Sequence, residues 1–231
     1  NAQLIQEVLA ERSAAGVWGT YCCFPESLVS LNPGFNHQDN AVVASYASEF
    51  AGKSLKPHVF GIAGATYRRL MDDKTDHTIV CTGETGSGKT FAVRSALRFF
   101  ASREETAGRV ERRVQCSVEV LDAFGNARTT HPDSSRYGKY VKLWFDHASG
   151  DAVAGALVTT QLERRRVCPQ TRDERSFHIF YRMCAGLDRD EARELLHGAI
   201  ARDFAYLSSY IGIEDDARED EEGYKNTIAS M

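Results

Sequence analysis

The apolar positions of this chain change between helical spacing and two-residue alternation, and those changes mark its elements. Leu4, Ile5, Val8 and Leu9 form one stripe, which predicts a helix over 3–14 stopped near Gly16. Ser27 to Leu31 reads as a strand ended by Asn32-Pro33-Gly34. Residues 35–56 read as loop with a short helix around Ala41 to Phe50. Pro57 then opens a helix whose inner face is Val59, Ile62, Ala63, Tyr67 and Leu70. Thr78 to Thr82 reads as a short buried strand, and Phe91 to Phe100 as a helix. Residues 110–124 predict a further helix with Val114, Val118 and Leu121 on one side, followed by a polar loop from Gly125 to Gly138. Tyr140 to Phe145 and Ala156 to Leu162 alternate like strands, and Gly150 marks a hairpin turn between them. Phe177 to Cys184, closed by Gly186, and Asp190 to His197 predict two more helices. The sum is an α/β organisation in one large or two small domains.

Composition adds little to this and excludes more. A hydrophobic fraction of 42% suffices for a packed core, and a net charge of −4 does not suggest a nucleic-acid partner. From Glu214 to Glu222 there are seven acidic residues and one Arg, which reads as a solvated loop or helix start. None of the six cysteines forms C-x-x-C, and adjacent Cys22-Cys23 suits no common zinc pattern. Reduced thiols of a cytosolic protein are the simplest account. No window is apolar for long enough to span a membrane, and no signal peptide opens the chain. The first residue is Asn1, and the chain reads as a piece of something longer. Arg164-Arg165-Arg166 reads as a solvated strand edge, His178 as a satisfied, partly buried side chain, and Tyr140, Trp144 and Phe145 as strand packing.

One stretch carries chemistry. Gly83-Glu84-Thr85-Gly86-Ser87-Gly88-Lys89-Thr90 fits G-x-x-x-x-G-K-[ST] at every fixed position. Glycines let the backbone curl around phosphate, Lys89 supplies a point charge for the outer phosphates, and the Thr90 hydroxyl suits magnesium. A strand before the loop and a helix after it would aim backbone N–H groups and a helix dipole at the anion. A second loop, from Phe124 to Lys139, holds the adjacent hydroxyls Ser134 and Ser135 and the cation Arg136. Such a loop can supply a second magnesium ligand and a γ-phosphate contact. On composition alone an ordinary polar turn is the simpler reading.

At this point the chain resembles the myosin motor family. The phosphate loop is similar to the family's G-E-S-G-A-G-K-T, with Thr85 and Ser87 replacing Ser and Ala. Ala123 to Thr129 is similar to A-F-G-N-A-K-T, and Ser134 to Lys139 to switch I, S-S-R-F-G-K. Glu174 to Tyr181 resembles E-R-N-F-H-I-F-Y, Leu31-Asn32-Pro33 resembles V-N-P, and Pro57 to Phe60 resembles P-H-I-F. The resemblance implies a P-loop NTPase-type sheet flanked by helices. Residues 1–231 would be the N-terminal nucleotide-binding part of a motor-like domain, a fragment of a longer chain. It implies ATP and Mg2+ as cofactors. Residues 83–90, with Asn126, His131, Ser134 and Ser135, would contact nucleotide, and Thr90 and Ser135 would coordinate magnesium. Lys89, Ser134 and Arg136 would carry the catalytic roles, Ser134 facing the γ-phosphate and attacking water and Arg136 pairing with a switch II Glu.

Two departures qualify what the resemblance implies. His131 and Asp133 stand where the family has N-x-N, so one phosphate-contacting Asn is replaced by a His that can still donate a hydrogen bond. Switch II, D-x-x-G-F-E, does not occur in the chain, which leaves Arg136 without that acid. Half a phosphate cage binds better than it hydrolyses. The first functional reading is therefore an ATP-binding part of a myosin-type ATPase, with actin engaged only through parts outside these residues. Its setting would be cytoplasmic, on the cytoskeleton or on the cytosolic face of a membrane-anchored protein. An alternative is a non-motile myosin-like domain regulating or tethering a fused enzyme, since G-E-T-G-S-G-K also resembles the motor-like domains of fungal chitin synthases. A P-loop kinase or GTPase is a third reading; the guanine-specificity pattern N-K-x-D is absent.

Overall fold

A computed structural model describes residues 2–14, 19–23, 26–32, 57–102, 109–129, 134–168, 170–171, 173–210, 212–213 and 216–231. The expected helix around Ala41 to Phe50 lies outside them, as do His131 and Asp133. The chain divides into two compact units. The first comprises Asn1–Arg112 with Leu143–Gly155, and the second Arg113–Lys142 with Ala156–Met231.

In the first unit, helix α1 (Ala2–Ala14) covers the predicted 3–14. Strand β1 (Gly19–Cys23) pairs antiparallel with β2 (Ser27–Ser30), with an irregularity between Tyr21 and Cys23. Helix α2 (Val59–Asp73) starts where Pro57 predicted. His58 caps it, its Nδ1 accepting from the Phe60 N–H at 3.1 Å, and Lys74 closes it in a left-handed conformation. Helix α3 (Lys89–Ala101) packs on α2, and Phe60, Ala63, Ala96 and Phe99 form the buried cluster between them. Phe60 and Phe99 stack at 6.0 Å.

The expected strand over Thr78 to Thr82 does not form. Ile79 packs against the α2–α3 cluster, but Val80 is 77% exposed. A strand exists only through a neighbour's hydrogen bonds, and these residues belong to none of the described sheets. The P-loop NTPase-type sheet is accordingly not seen among the described residues. They hold helices and three two-stranded sheets.

Helix α4 (Arg109–Gly125) leads into the second unit, with Val114 and Val118 buried as the pattern predicted. The polar loop after it contains a short antiparallel pair, β3 (Asn126–Ala127) against β4 (Ser134–Ser135). Strands β5 (Gly138–Phe145) and β6 (Ala152–Thr160) make the predicted hairpin, although β6 begins four residues before the predicted Ala156. Its turn is closed by Gly150, which donates to the Asp146 carbonyl at 2.8 Å. Phe145 packs on Tyr67 and Phe100 as expected, whereas Tyr140 and Trp144 are exposed.

Helix α5 (His178–Gly186) is the apolar centre of the second unit, burying His178, Ile179 and Tyr181. Helix α6 (Arg189–Leu196) is started by Asp188, whose carboxylate accepts from the N–H groups of Asp190 and Glu191. The acidic run is a helix start, one of its two expected forms, and Glu219, Glu221 and Glu222 are exposed, but Asp216 and Asp220 are buried rather than solvated. It enters helix α7 (Ala217–Ser230), with Glu219 and Asp220 favourably placed in the first turn. Asp220 and Thr227, seven residues apart, are buried on one face, and Glu221 and Glu222 point to solvent. Helices α5 and α7 approach closely at Gly186, where a Cβ would stand 2.3 Å from the Tyr224 Cβ. The three arginines at 164–166 lie in a 3-10 turn rather than at a strand edge; Arg164 and Arg165 are solvated as read, but Arg166, only 6% exposed, is not.

Candidate functional site

The phosphate loop leads straight into α3. Gly83, Gly86 and Gly88 have φ of 147°, 80° and 90°, values that a side chain disfavours. A Cβ on Gly83 would also stand 2.6 Å from the Ser87 Oγ. Ser87 N–H donates to the Glu84 carbonyl at 3.2 Å, and Ala92 N–H to the Gly88 carbonyl at 2.9 Å. The Lys89 Nζ reaches back across the loop to the carbonyls of Gly83 (2.7 Å) and Glu84 (2.5 Å). Asn32 donates from Nδ2 to the Gly86 carbonyl at 2.7 Å, joining the segment after β2 to the loop. Gly88 caps α3 without a side-chain hydrogen bond, and the first turn of α3 holds no acidic residue. Its dipole is thus left for an anion. The curled glycines, the ammonium and the hydroxyl of Thr90 on the first turn fit a phosphate chain with its magnesium.

The serine-bearing loop belongs to the second unit. The β3–β4 pair sets Asn126 opposite Ser135 and Ala127 opposite Ser134. Ala127 also bridges to Phe177, and Arg136 N–H donates to the Gly125 carbonyl at 2.8 Å. Backbone bonds thus bring together Asn126, Ser134, Ser135 and Arg136. Ser134 is 4% exposed and Asn126 5%. The Asn126 Oδ1 is buried and accepts no hydrogen bond among the described residues, as suits a side chain whose partner is a ligand or its water. Lys139 Nζ (2.5 Å) and the Tyr137 hydroxyl (2.7 Å) both donate to Oδ1 of buried Asp122 on α4. That contact ties the end of the loop to the helix before it.

Arg136 corrects an expectation. It has a carboxylate partner inside this chain: its Nη1 lies 3.4 Å from Glu163 Oε2, and its Nη2 donates to Ser134 Oγ. Glu163 is also held by Arg166 through bonds of 3.0 and 3.2 Å.

A second charged cluster supports the start of the loop. Arg175, 1% exposed, donates from Nη2 to both carboxylate oxygens of Asp220 (2.8 and 2.7 Å) and from Nη1 to Asp216 (3.2 Å). Its guanidinium lies over the Tyr181 ring, 3.9 Å from the centroid. Arg128, in the segment joining β3 to the serines, pairs with Asp216 and, at 2.7 Å, with Glu219. Burial opposes the Arg128 charge, but hydrogen bonds to Glu219 and Tyr210 and the charges of Asp216 and Glu219 outweigh it and push its pKa up. Burial opposes the Asp220 charge too and here prevails, raising its pKa, with the Arg175 charge only a partial offset.

Sequence reasoning named the loop residues but missed Asp122, Glu163, Asp216 and Asp220. Asp122 alone left a usable signal, lying four residues after the buried Val118 and so on the inner face of α4. Among the described residues no group of three or more His, Cys, Asp or Glu side chains is placed to hold a metal ion. No described helix is long and apolar enough to cross a membrane.

Set beside known proteins, the whole chain matches the family described as myosin head (motor domain), over residues 1–231. It is 36% identical over 219 residues to Myosin-2 of Saccharomyces uvarum, an alignment covering 88% of this chain and 14% of that protein. It is 34% identical over 215 residues to human unconventional myosin-Vb, covering 90% of this chain and 11% of that one. Against unconventional myosin-VI of Sus scrofa the identity is 37% over 189 residues, covering 78% and 14%. The chain therefore belongs to the myosin head family, and it spans only 11–14% of the length of these relatives.

Proposed function

We propose that this chain binds ATP with magnesium as the nucleotide-binding part of a myosin-type motor. The observation that carries the reading is the phosphate loop, with its three left-handed glycines, the Lys89 ammonium spanning it and the uncapped N-terminus of α3 behind it. Magnesium, when bound, offsets charge on the β- and γ-phosphates. In this reading residues 83–88 curl around the phosphates and Lys89 exchanges its two loop carbonyls for phosphate oxygens. Thr90 and Ser135 offer hydroxyls to the metal. Ser134 addresses the terminal phosphate, with Asn126 and His131 as further nucleotide contacts. The P-loop NTPase-type sheet is part of the same proposal, as is a cytoplasmic, cytoskeleton-associated setting. Coupling of nucleotide state to actin extends the proposal to the longer protein.

The test is calorimetric titration of the full-length protein with ATP and magnesium. Wild type should bind, and Lys89→Ala should abolish binding; an unchanged affinity in that variant would remove the site. Steady-state ATP turnover with and without actin filaments then separates a motor from a binding module.

A further inference from the structure

We infer that Glu163 is a positioning residue for recognition of the terminal phosphate, acting through Arg136 on Ser134. The inference rests on the nucleotide reading above and names a member of the site that neither the motifs nor the family match supplies.

Glu163 is fixed before it meets Arg136. Its N–H donates to the Arg136 carbonyl at 2.9 Å, and Arg136 N–H in turn donates to Gly125. Its carboxylate takes a two-point grip from Arg166, Nη2 on Oε1 at 3.2 Å and Nε on Oε2 at 3.0 Å. Arg166 is itself buried and held by Glu174 at 2.9 Å and by the Arg175 carbonyl at 3.3 Å. The carboxylate is therefore a rigid acceptor, and Oε2 has capacity left for one more donor. Arg136 Nη1 provides it at 3.4 Å.

This arrangement constrains Ser134. A guanidinium has only donors, so the bond from Arg136 Nη2 to Ser134 Oγ must use a lone pair of the hydroxyl. The hydroxyl's own proton is then turned away from Arg136 and offered elsewhere. A buried hydroxyl forced to be a donor matches an anion's oxygen and mismatches another donor. Ser134 is the residue that the proposed site sets against the γ-phosphate. Glu163 thus helps to decide which way the serine proton points, without touching nucleotide itself. The charges close locally: Glu163 and Glu174 balance Arg136 and Arg166. The Nε of Arg136 is buried and bonded to nothing among the described residues, so its hold on the protein comes through its two terminal nitrogens.

The role predicts selectivity for triphosphate over diphosphate. Calorimetry on the full-length protein with magnesium compares a non-hydrolysable ATP analogue with ADP. Glu163→Gln should weaken the triphosphate analogue about tenfold, the worth of one charge-assisted hydrogen bond, and change ADP less than about twofold. Glu163→Asp keeps a charge beside Arg166 but withdraws it from Arg136, and should show a smaller loss of the same kind. In Ser134→Ala the same loss should appear, and adding Glu163→Gln should deepen it no further, because both changes remove one pathway. Equal losses for both nucleotides, additive losses with Ser134→Ala, or unchanged triphosphate affinity in both Glu163 variants would overturn the role. Failure of the underlying site looks different: wild type binds neither nucleotide, or Lys89→Ala binds both as wild type does, and the role falls with it.

Discussion

Arg175 and Asp220 meet through paired hydrogen bonds of 2.8 and 2.7 Å, with both side chains withdrawn from water. This pair fastens α7 to the segment that precedes α5, and Asp216 extends it to Arg128 beside the serine-bearing loop. A buried pair broken on one side leaves an uncompensated charge. Arg175→Met should therefore cost about 3–5 kcal/mol of stability. Urea denaturation of Arg175→Met and of the double variant with Asp220→Leu checks it. The double variant should recover much of the loss, because two apolar groups then replace two matched charges.

Tyr137 stands where the resembling motif has Phe, and its hydroxyl donates to Asp122 at 2.7 Å. Tyr137→Phe should lower stability by about 0.5–1.5 kcal/mol. The change is modest because Lys139 still neutralises Asp122 at 2.5 Å. Asp122→Ala takes the buried carboxylate away from both Tyr137 and a Lys139 that is 9% exposed, and should cost more than Tyr137→Phe in the same unfolding assay.

Gly186 lets α5 and α7 approach, since a Cβ there would stand 2.3 Å from Tyr224 Cβ and 2.4 Å from its Cγ. Gly186→Ala should destabilise by about 1–3 kcal/mol in spite of alanine's better helix propensity. A thermal midpoint at or above that of wild type would show that the two helices can part without cost.

Ser135→Ala removes one proposed magnesium hydroxyl while leaving Lys89 and the glycine loop intact. The gain in ATP affinity on adding magnesium should shrink by about tenfold. Titrations with and without the metal measure that gain directly; an undiminished gain would take Ser135 out of the metal's ligand set.

Burial opposes the charge of Glu163, but the hydrogen bond and charge of Arg166, followed by those of Arg136, outweigh it and hold its pKa below 4.5. A carboxylate depressed in the folded state contributes stability above its unfolded pKa and loses it as pH falls through the folded value. The groups facing it are these two arginines, with Glu174 beyond Arg166. The stability difference between wild type and Glu163→Gln should thus be full near neutral pH and narrow as pH drops below about 4.5. Urea midpoints across that range report it, and a difference that does not change with pH would contradict the assignment.

The chemistry-bearing loop was legible because its constraint is local. Gly83, Gly86 and Gly88 curl the backbone as their spacing implied, and the helix expected from Phe91 opens two residues earlier, at Lys89. The face of α4 was legible for a similar reason, as period 3.6 is written into consecutive residues; on α2 the pattern found Ala63 but passed over the buried Phe60. What escaped was whatever depends on partners distant in sequence. Asp220 looked solvated because its neighbours are acidic, yet it is buried by a partner 45 positions away. Arg166 was hidden in a basic triplet whose other members, Arg164 and Arg165, are exposed. Val80 has the composition of a core strand, but composition cannot supply the neighbouring strand that would cover it.

The ammonium of Lys89 is already threaded across its own loop, bonded to Gly83 and Glu84. Much of its rotamer freedom and part of its hydration shell are surrendered when the chain folds, not when an anion arrives. Preorganisation of this kind lowers the entropic penalty of association, so grip on a phosphate chain depends less on capturing a wandering cation than on how readily two carbonyls release one.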